Sequence, residues 1–168
     1  IMRGRWFVSA RLTRTSTGST ESDEKLADRL DRFSALITGP LREVGHPKAK
    51  RLFFSVTLTS DLVLPLGRGP EWLVEELKAR LGLEDLVLEK CFARTTCVGG
   101  FNAALGLPKE LLPALAMGSV FAFSCPDGGR KTLVDKMCRL LRDGLGWRRE
   151  EGHGRFTFCD DFHLDMRG

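Results

Sequence analysis

The sequence predicts an α+β fold whose elements follow one another as β-α-β-β-α-β. Three observations predict it. Residues 118–125 (GSVFAFSC) form a compact apolar run, a PDGG turn follows, and Leu133, Met137, Leu140 and Leu141 then recur at helical spacing. A glycine-rich loop at 144–154 ends that helix and opens a short alternating strand at 155–159. Upstream, a helix pattern over 70–81 and a strand pattern over 86–96 supply the middle of the order.

The totals suit this class. At 168 residues and 42% hydrophobic, the chain is one ordinary domain or two small ones, with enough apolar mass for a packed core. A net charge of +4 permits a nucleic-acid partner without requiring one. The distribution says more. Residues 130–149 hold seven basic side chains (Arg130, Lys131, Lys136, Arg139, Arg142, Arg148, Arg149) against Asp135 and Asp143. Residues 1–14 add Arg3, Arg5, Arg11 and Arg14 with no acid. Five cysteines, odd in number and without a C-x-x-C pair, read as reduced thiols of a cytoplasmic protein, and their spacing suits no zinc site. No apolar run approaches the roughly 20 residues of a membrane span, and no secretory signal is evident.

In order, residues 6–13 (WFVSARLT) read as a half-buried strand and 15–20 as a polar loop. Ser22 or Asp23 caps a helix whose stripe is Leu26, Leu30, Phe33 and Ile37, and which is expected to stop near Gly39–Pro40. Residues 39–50 form a basic, irregular loop. Residues 51–59 are a strand with Phe54, Val56 and Leu58 on one face and Phe53, Ser55 and Thr57 on the other. Pro70 opens the next helix, Leu73, Leu77 and Leu81 face inward, and Gly82 ends it. Residues 101–117 contain Gly106 and two prolines, which predicts a loop with short turns. Phe156 and Phe158 alternate with Thr157 as core residues, and 160–168 is a polar tail.

The two ends of the chain share a plan of strand, helix, glycine-containing basic loop and strand. The later copy extends to a complete ferredoxin-like (RRM-like) βαββαβ unit, provided its first strand comes from residues 59–66. The earlier copy contains only the latter half of such a unit. This predicts two units, 1–60 and 61–168. The missing half, with Ile1 ahead of Met2, suggests a piece of a longer chain.

Two blocks carry a family resemblance. Residues 100–123, GFNAALGLPKELLPALAMGSVFAF, resemble the "G-F-N … G-L-P … A-h-x-x-G-S-V-F-x-F" block of the RAMP superfamily, the repeat-associated subunits of CRISPR effectors. Residues 144–158, GLGWRREEGHGRFTF, resemble that family's glycine-rich loop between the last helix and last strand. The loop at 39–50 departs from the pattern, keeping only Gly39 and Gly45. The resemblance covers about the last 70 residues. It is strongest to the C-terminal portion of the subunit that caps the 5′ handle of crRNA in type III (III-D-like) effectors.

That resemblance implies a subunit that holds crRNA, contacts neighbouring RAMP subunits and the large subunit, and meets target RNA only indirectly. It calls for no cofactor and no metal. On these residues the implied contacts are Arg148, Arg149 and Arg155 on phosphates, amides freed by Gly152 and Gly154, and His153 in the same loop. Trp147 or Phe101 would stack a base. Asn102 bonds RNA or closes its own turn, and Lys48 and Lys50 add charge from the earlier loop. Three other readings stand beside this one. Some relatives are metal-independent endoribonucleases using histidine, for which His153 is the candidate among His46, His153 and His163. Asp61 or Asp127 are weak candidates for metal-dependent cleavage and stronger ones for turns. The last reading is a ferredoxin-like interaction module without RNA contact.

Overall fold

The computed structural model describes residues 23–163. The strand expected at 6–13, the loop at 15–20, Ser22 and the end of the tail lie outside the described residues. Helix α1 (Asp23–Glu43) leads into strand β1 (Arg51–Leu58), and β2 (Leu62–Val63) and α2 (Trp72–Leu81) follow. Then come β3 (Val87–Phe92), β4 (Thr95–Val98), β5 (Phe101–Asn102), β6 (Leu107–Pro108), β7 (Leu112–Leu115) and β8 (Val120–Pro126). Helix α3 (Arg130–Asp143) and β9 (Phe156–Phe158) complete the order. The fold is α+β, and among the described residues all pairing is antiparallel.

The main sheet has the spatial order β3-β8-β1-β9. Its first strand in sequence is β1, not the stretch at 59–66. Within that stretch, Leu62–Val63 joins a smaller sheet, β2-β7-β4, and a third pairing, β5-β6, makes a hairpin. The strand expected at 86–96 is likewise divided: β3 belongs to the main sheet and β4 to the smaller one. The segment between β3 and β8 is therefore a β-rich insertion rather than a loop.

Register explains why β1 is central. Phe54 lies opposite Phe123, and Val56 lies between Phe121 and Phe158. The Phe54 and Phe123 rings stack at 5.5 Å, and Phe158 meets Phe54 edge-on at 5.9 Å. Leu26 and Leu30 of α1, Leu73 and Leu77 of α2, and Leu133 and Met137 of α3 join these rings in one buried core. Each such side chain contributes about 1.5–3 kcal/mol on burial, so the three helices hold to the sheet through shared apolar surface.

β9 is short and pairs only with Val56–Leu58, which leaves part of the β1 edge without a strand neighbour. Helix α1 fills that place. Ser34 Oγ accepts the Phe53 amide at 3.2 Å, and Arg29 donates to the Phe158 carbonyl at 2.8 Å. A buried strand edge needs partners for its backbone groups, and here two α1 side chains provide them. The helix also runs through Pro40 to Glu43, past its expected stop. Proline in the last turn forfeits its own N–H bond while leaving the rest of the helix intact.

Across the sheet's other face runs a polar chain. Arg51 Nε donates to Ser124 Oγ (2.8 Å), Ser124 Oγ donates to Glu89 Oε1 (2.7 Å), and Lys48 Nζ pairs with Glu89 Oε2. The Lys48 bond, above all, holds the Glu89 carboxyl below its ordinary 4.5. A carboxylate whose folded pKa is depressed adds stability above its unfolded pKa and loses it as pH falls through the folded value. Acid unfolding of the wild type should therefore include a component below pH 4.5 that Glu89→Gln lacks. Urea midpoints measured from pH 6 down to pH 3 check this, and parallel curves for the two proteins would refute it.

Candidate nucleic-acid interface

The glycine-rich loop leaves α3 at Gly144, whose amide bonds Leu140 O at 2.9 Å. Leu145 then drops into the core. Its amide donates to Gly154 O at 3.0 Å, so the loop's two ends are tied together. Trp147 N–H donates to Val63 O (3.0 Å) and Gly154 N–H to Asp61 O (2.9 Å), which fastens the loop to the segment after β1. At Gly154, φ is +73° and a Cβ would stand 1.7 Å from Leu145 O. At Gly146, a Cβ would stand 2.4 Å from Val63 O. These two glycines are there for close backbone approach. The amides expected to face phosphates are used inside the molecule, Gly154 on Asp61 O and Gly152 on Arg149 O.

The loop arginines divide in the same way. Arg148 takes positive φ (+54°), and its guanidinium donates to Glu110 O at 2.7 Å and Gly99 O at 3.3 Å. The left-handed conformation costs roughly 1–2 kcal/mol for a residue with a Cβ. Hydrogen bonds from a charged donor, about 1.5–3 kcal/mol, offset it. Arg149 donates to Asp143 O at 3.1 Å and covers the end of α3, where a cation also meets the negative end of the helix dipole. Arg155 is different. Its backbone is held by Ser60 Oγ and by the amides of Thr59 and Ser60, while its side chain is exposed with no bond to the described residues.

Arg148 thus clamps the loop to the insertion, and Lys109 adds an ion pair to Glu151 at 3.0 Å across the same seam. The Lys109 bond keeps the Glu151 carboxyl below its ordinary range. Asp61 joins the same seam: its Oδ1 accepts Met117 N–H at 2.8 Å while its carbonyl accepts Gly154. This is a positioning role within a turn. Asp127, the other carboxylate weighed for metal chemistry, lies 3.6 Å from Arg130.

On the docked insertion, Asn102 closes its own turn, its Oδ1 accepting the amides of Ala104 (3.1 Å) and Leu105 (3.2 Å). Phe101 next to it is 63% exposed, and Trp147 on the loop is 46% exposed. A shallow cleft of about 430 Å³ runs between the two segments, lined by Glu110, Leu112, Trp147, Arg148 and Arg149. Its size falls within the range of small-ligand sites. His153 sits half-buried in the loop. His46 Nδ1 accepts the Lys48 amide and caps a 3-10 turn.

Lys48 and Lys50 are not part of this cluster. They precede β1, whereas the loop meets the chain just after it, on the order of 25 Å away along the strand. Lys48 is paired with Glu89, and Lys50 is exposed. Sequence reasoning missed Lys109 and Asp61 as the residues that join the insertion to the loop. The Asn-x-x turn at 102–105 was a usable signal that the insertion forms a hairpin.

The chain matches no family model and no curated protein. Its reading rests on this geometry. Among the described residues, no three His, Cys, Asp or Glu side chains gather where they could hold a metal ion, and no helix is long and apolar enough to cross a membrane.

Proposed function

We propose that this chain is a non-catalytic, cytoplasmic RNA-binding subunit of RAMP type. On this reading it holds the 5′ handle of crRNA in a type III CRISPR effector, beside neighbouring RAMP subunits and the large subunit, and target RNA reaches it only indirectly. The observation that carries the proposal is the composite surface where the glycine-rich loop is clamped to the insertion. Two aromatic rings are exposed there, Phe101 on the insertion and Trp147 on the loop, and further along the same loop the exposed Arg155 side chain has no bond to the described residues. Exposed rings and an exposed cation carried on these two segments suit a single strand with splayed bases. Arg148 and Arg149 serve that surface by positioning it.

The topology supports the same reading. We read the elements β1-α2-β3-β8-α3-β9, in the spatial order β3-β8-β1-β9, as the split βαβ plan of a ferredoxin-like unit. The unit then spans residues 51–158, with β1 as its first strand, and α1 packs along its edge. On this reading the boundary between units lies ahead of β1 rather than at residue 60.

The test is binding of single-stranded repeat-derived RNA to the purified chain, followed by fluorescence anisotropy across a salt series. Arg155→Ala should weaken binding and lower the salt slope by about 0.7 for each phosphate that is no longer neutralised. Phe101→Ala should cost about 1–3 kcal/mol if the ring stacks a base. A wild-type chain that binds no RNA, or both variants binding like wild type, would sink the proposal. If the wild type shortens the RNA and His153→Ala stops it, the endoribonuclease reading takes its place.

A further inference from the structure

The two edges of the main sheet are treated differently. At the β9 edge, Arg29 of α1 donates to the Phe158 carbonyl. At the other edge, β3 pairs with β8 on one side, and among the described residues no strand lies along the opposite side. Nor is β3 a polar edge. Val87 is 43% exposed, Leu88 37% and Phe92 70%, and Cys91 is exposed as well. A six-residue edge with apolar side chains on both faces is a template for another strand.

Its sequence selects which strand. From Val87 the edge reads Val-Leu-Glu-Lys-Cys-Phe. Set antiparallel to a second β3 with the two-fold axis between Glu89 and Lys90, every position meets a suitable partner. Glu89 faces Lys90, Leu88 faces Cys91, and Val87 faces Phe92, each pair occurring twice by symmetry. Just beyond the strand ends, the exposed Asp85 falls opposite the exposed Arg94. The faces agree too. Val87, Lys90 and Phe92 pair with Ser124, Ala122 and Val120 of β8, while Leu88 and Cys91 pair with Phe123 and Phe121 on the other face. Residues brought opposite one another therefore point the same way, as antiparallel pairing requires.

The irregularity between Leu88 and Lys90 is part of this arrangement. It makes Glu89 the extra residue on β3, and its carboxylate reaches Ser124 on the face that carries Lys90. A carboxylate has acceptor sites enough for Ser124, Lys48 and one further ammonium group. A bulge and a lysine normally discourage strand addition at an edge. Here they reject registers that leave Lys90 against an apolar residue or another lysine, and they admit the one that sets it against Glu89.

We infer that the β3 edge is a homodimer surface, on which a second copy of this chain pairs its own β3 to make one continuous eight-stranded sheet. The inference stands apart from the RNA reading and shares no residue with that proposed contact surface. Sedimentation of the purified chain in reducing buffer, across the micromolar range, should show a concentration-dependent doubling of mass. Lys90→Glu sets four carboxylates together at the axis and should abolish the doubling, with circular dichroism reporting that the variant is folded. The register has its own test. In Leu88→Cys, an added thiol oxidant should link the introduced thiol of one copy to Cys91 of the other, because directly opposed Cα atoms lie about 4.5–5.5 Å apart, within disulfide range. Adding Cys91→Ser should remove that link. A wild-type chain that stays monomeric, doubling that survives in folded Lys90→Glu, or a link that persists without Cys91 would each overturn the inference.

Discussion

Replacing Gly154 with alanine should destabilise the fold by about 3 kcal/mol or more, one of the largest effects a single methyl group can have. Two causes combine. The backbone at Gly154 has φ +73°, and a Cβ there would lie 1.7 Å from Leu145 O and 2.8 Å from Leu145 C. Both are main-chain atoms, and neither can rotate away as a flexible side chain would. Leu145 is itself held by its amide on Gly154 O and by its buried side chain, so relief means breaking the tie that closes the loop. Gly152 is the control. Its φ is +94°, but a Cβ there meets nothing within 4 Å. Gly152→Ala should therefore cost only the conformational penalty, roughly 1–2 kcal/mol. For a chain of this size each kcal/mol lowers Tm by about 2–4 °C, so thermal scans separate the two variants. Equal losses would show that the close approach at Gly154 has no energetic weight.

Why the sequence revealed some of this and not the rest follows from the range of the interactions. The α1 stripe and the α2 helix with its Gly82 end were legible because they depend on residues within a few positions of each other. So were Phe156 and Phe158 as core, since alternation alone puts both on one face. The strand character of β1 was legible as well, but not its place. Its partners, β8 and β9, lie far along the chain, and no local pattern specifies register across such a separation. The burial of Phe53 and Ser55 also escaped alternation, which puts both on the face opposite Phe54. At the candidate interface, residue types were legible and their partners were not. Arg148 looked like a cation for phosphate. Its acceptors, Gly99 and Glu110, stand 49 and 38 positions earlier, and only the folded chain brings them to it. The ring of Phe101 and the side chain of Arg155 are exposed, and their contact with RNA is what the binding experiment tests.

Phe54→Ala should cost about 3–5 kcal/mol and move a single unfolding transition. Phe54 is fully buried at the middle of the central strand, stacked on Phe123 and edge-on to Phe158. Truncation removes its own transfer energy and leaves a cavity between rings that β8 and β9 hold apart, so collapse around it is limited. The shape of the transition tests more than the size of the loss. Two units divided at residue 60 would put Phe54 in the first, and the substitution would lower one of two transitions. In the structure Phe54 shares one core with Leu30 of α1, Leu77 of α2 and Met137 of α3. A common core unfolds as one cooperative body, so urea curves followed by fluorescence and by circular dichroism should coincide and shift together. Phe162→Ala, at a ring 71% exposed, should leave the midpoint within about 0.5 kcal/mol of wild type. Two separated transitions, only one of which responds to Phe54→Ala, would favour the boundary at 60 and remove β1 from the unit that carries the glycine-rich loop.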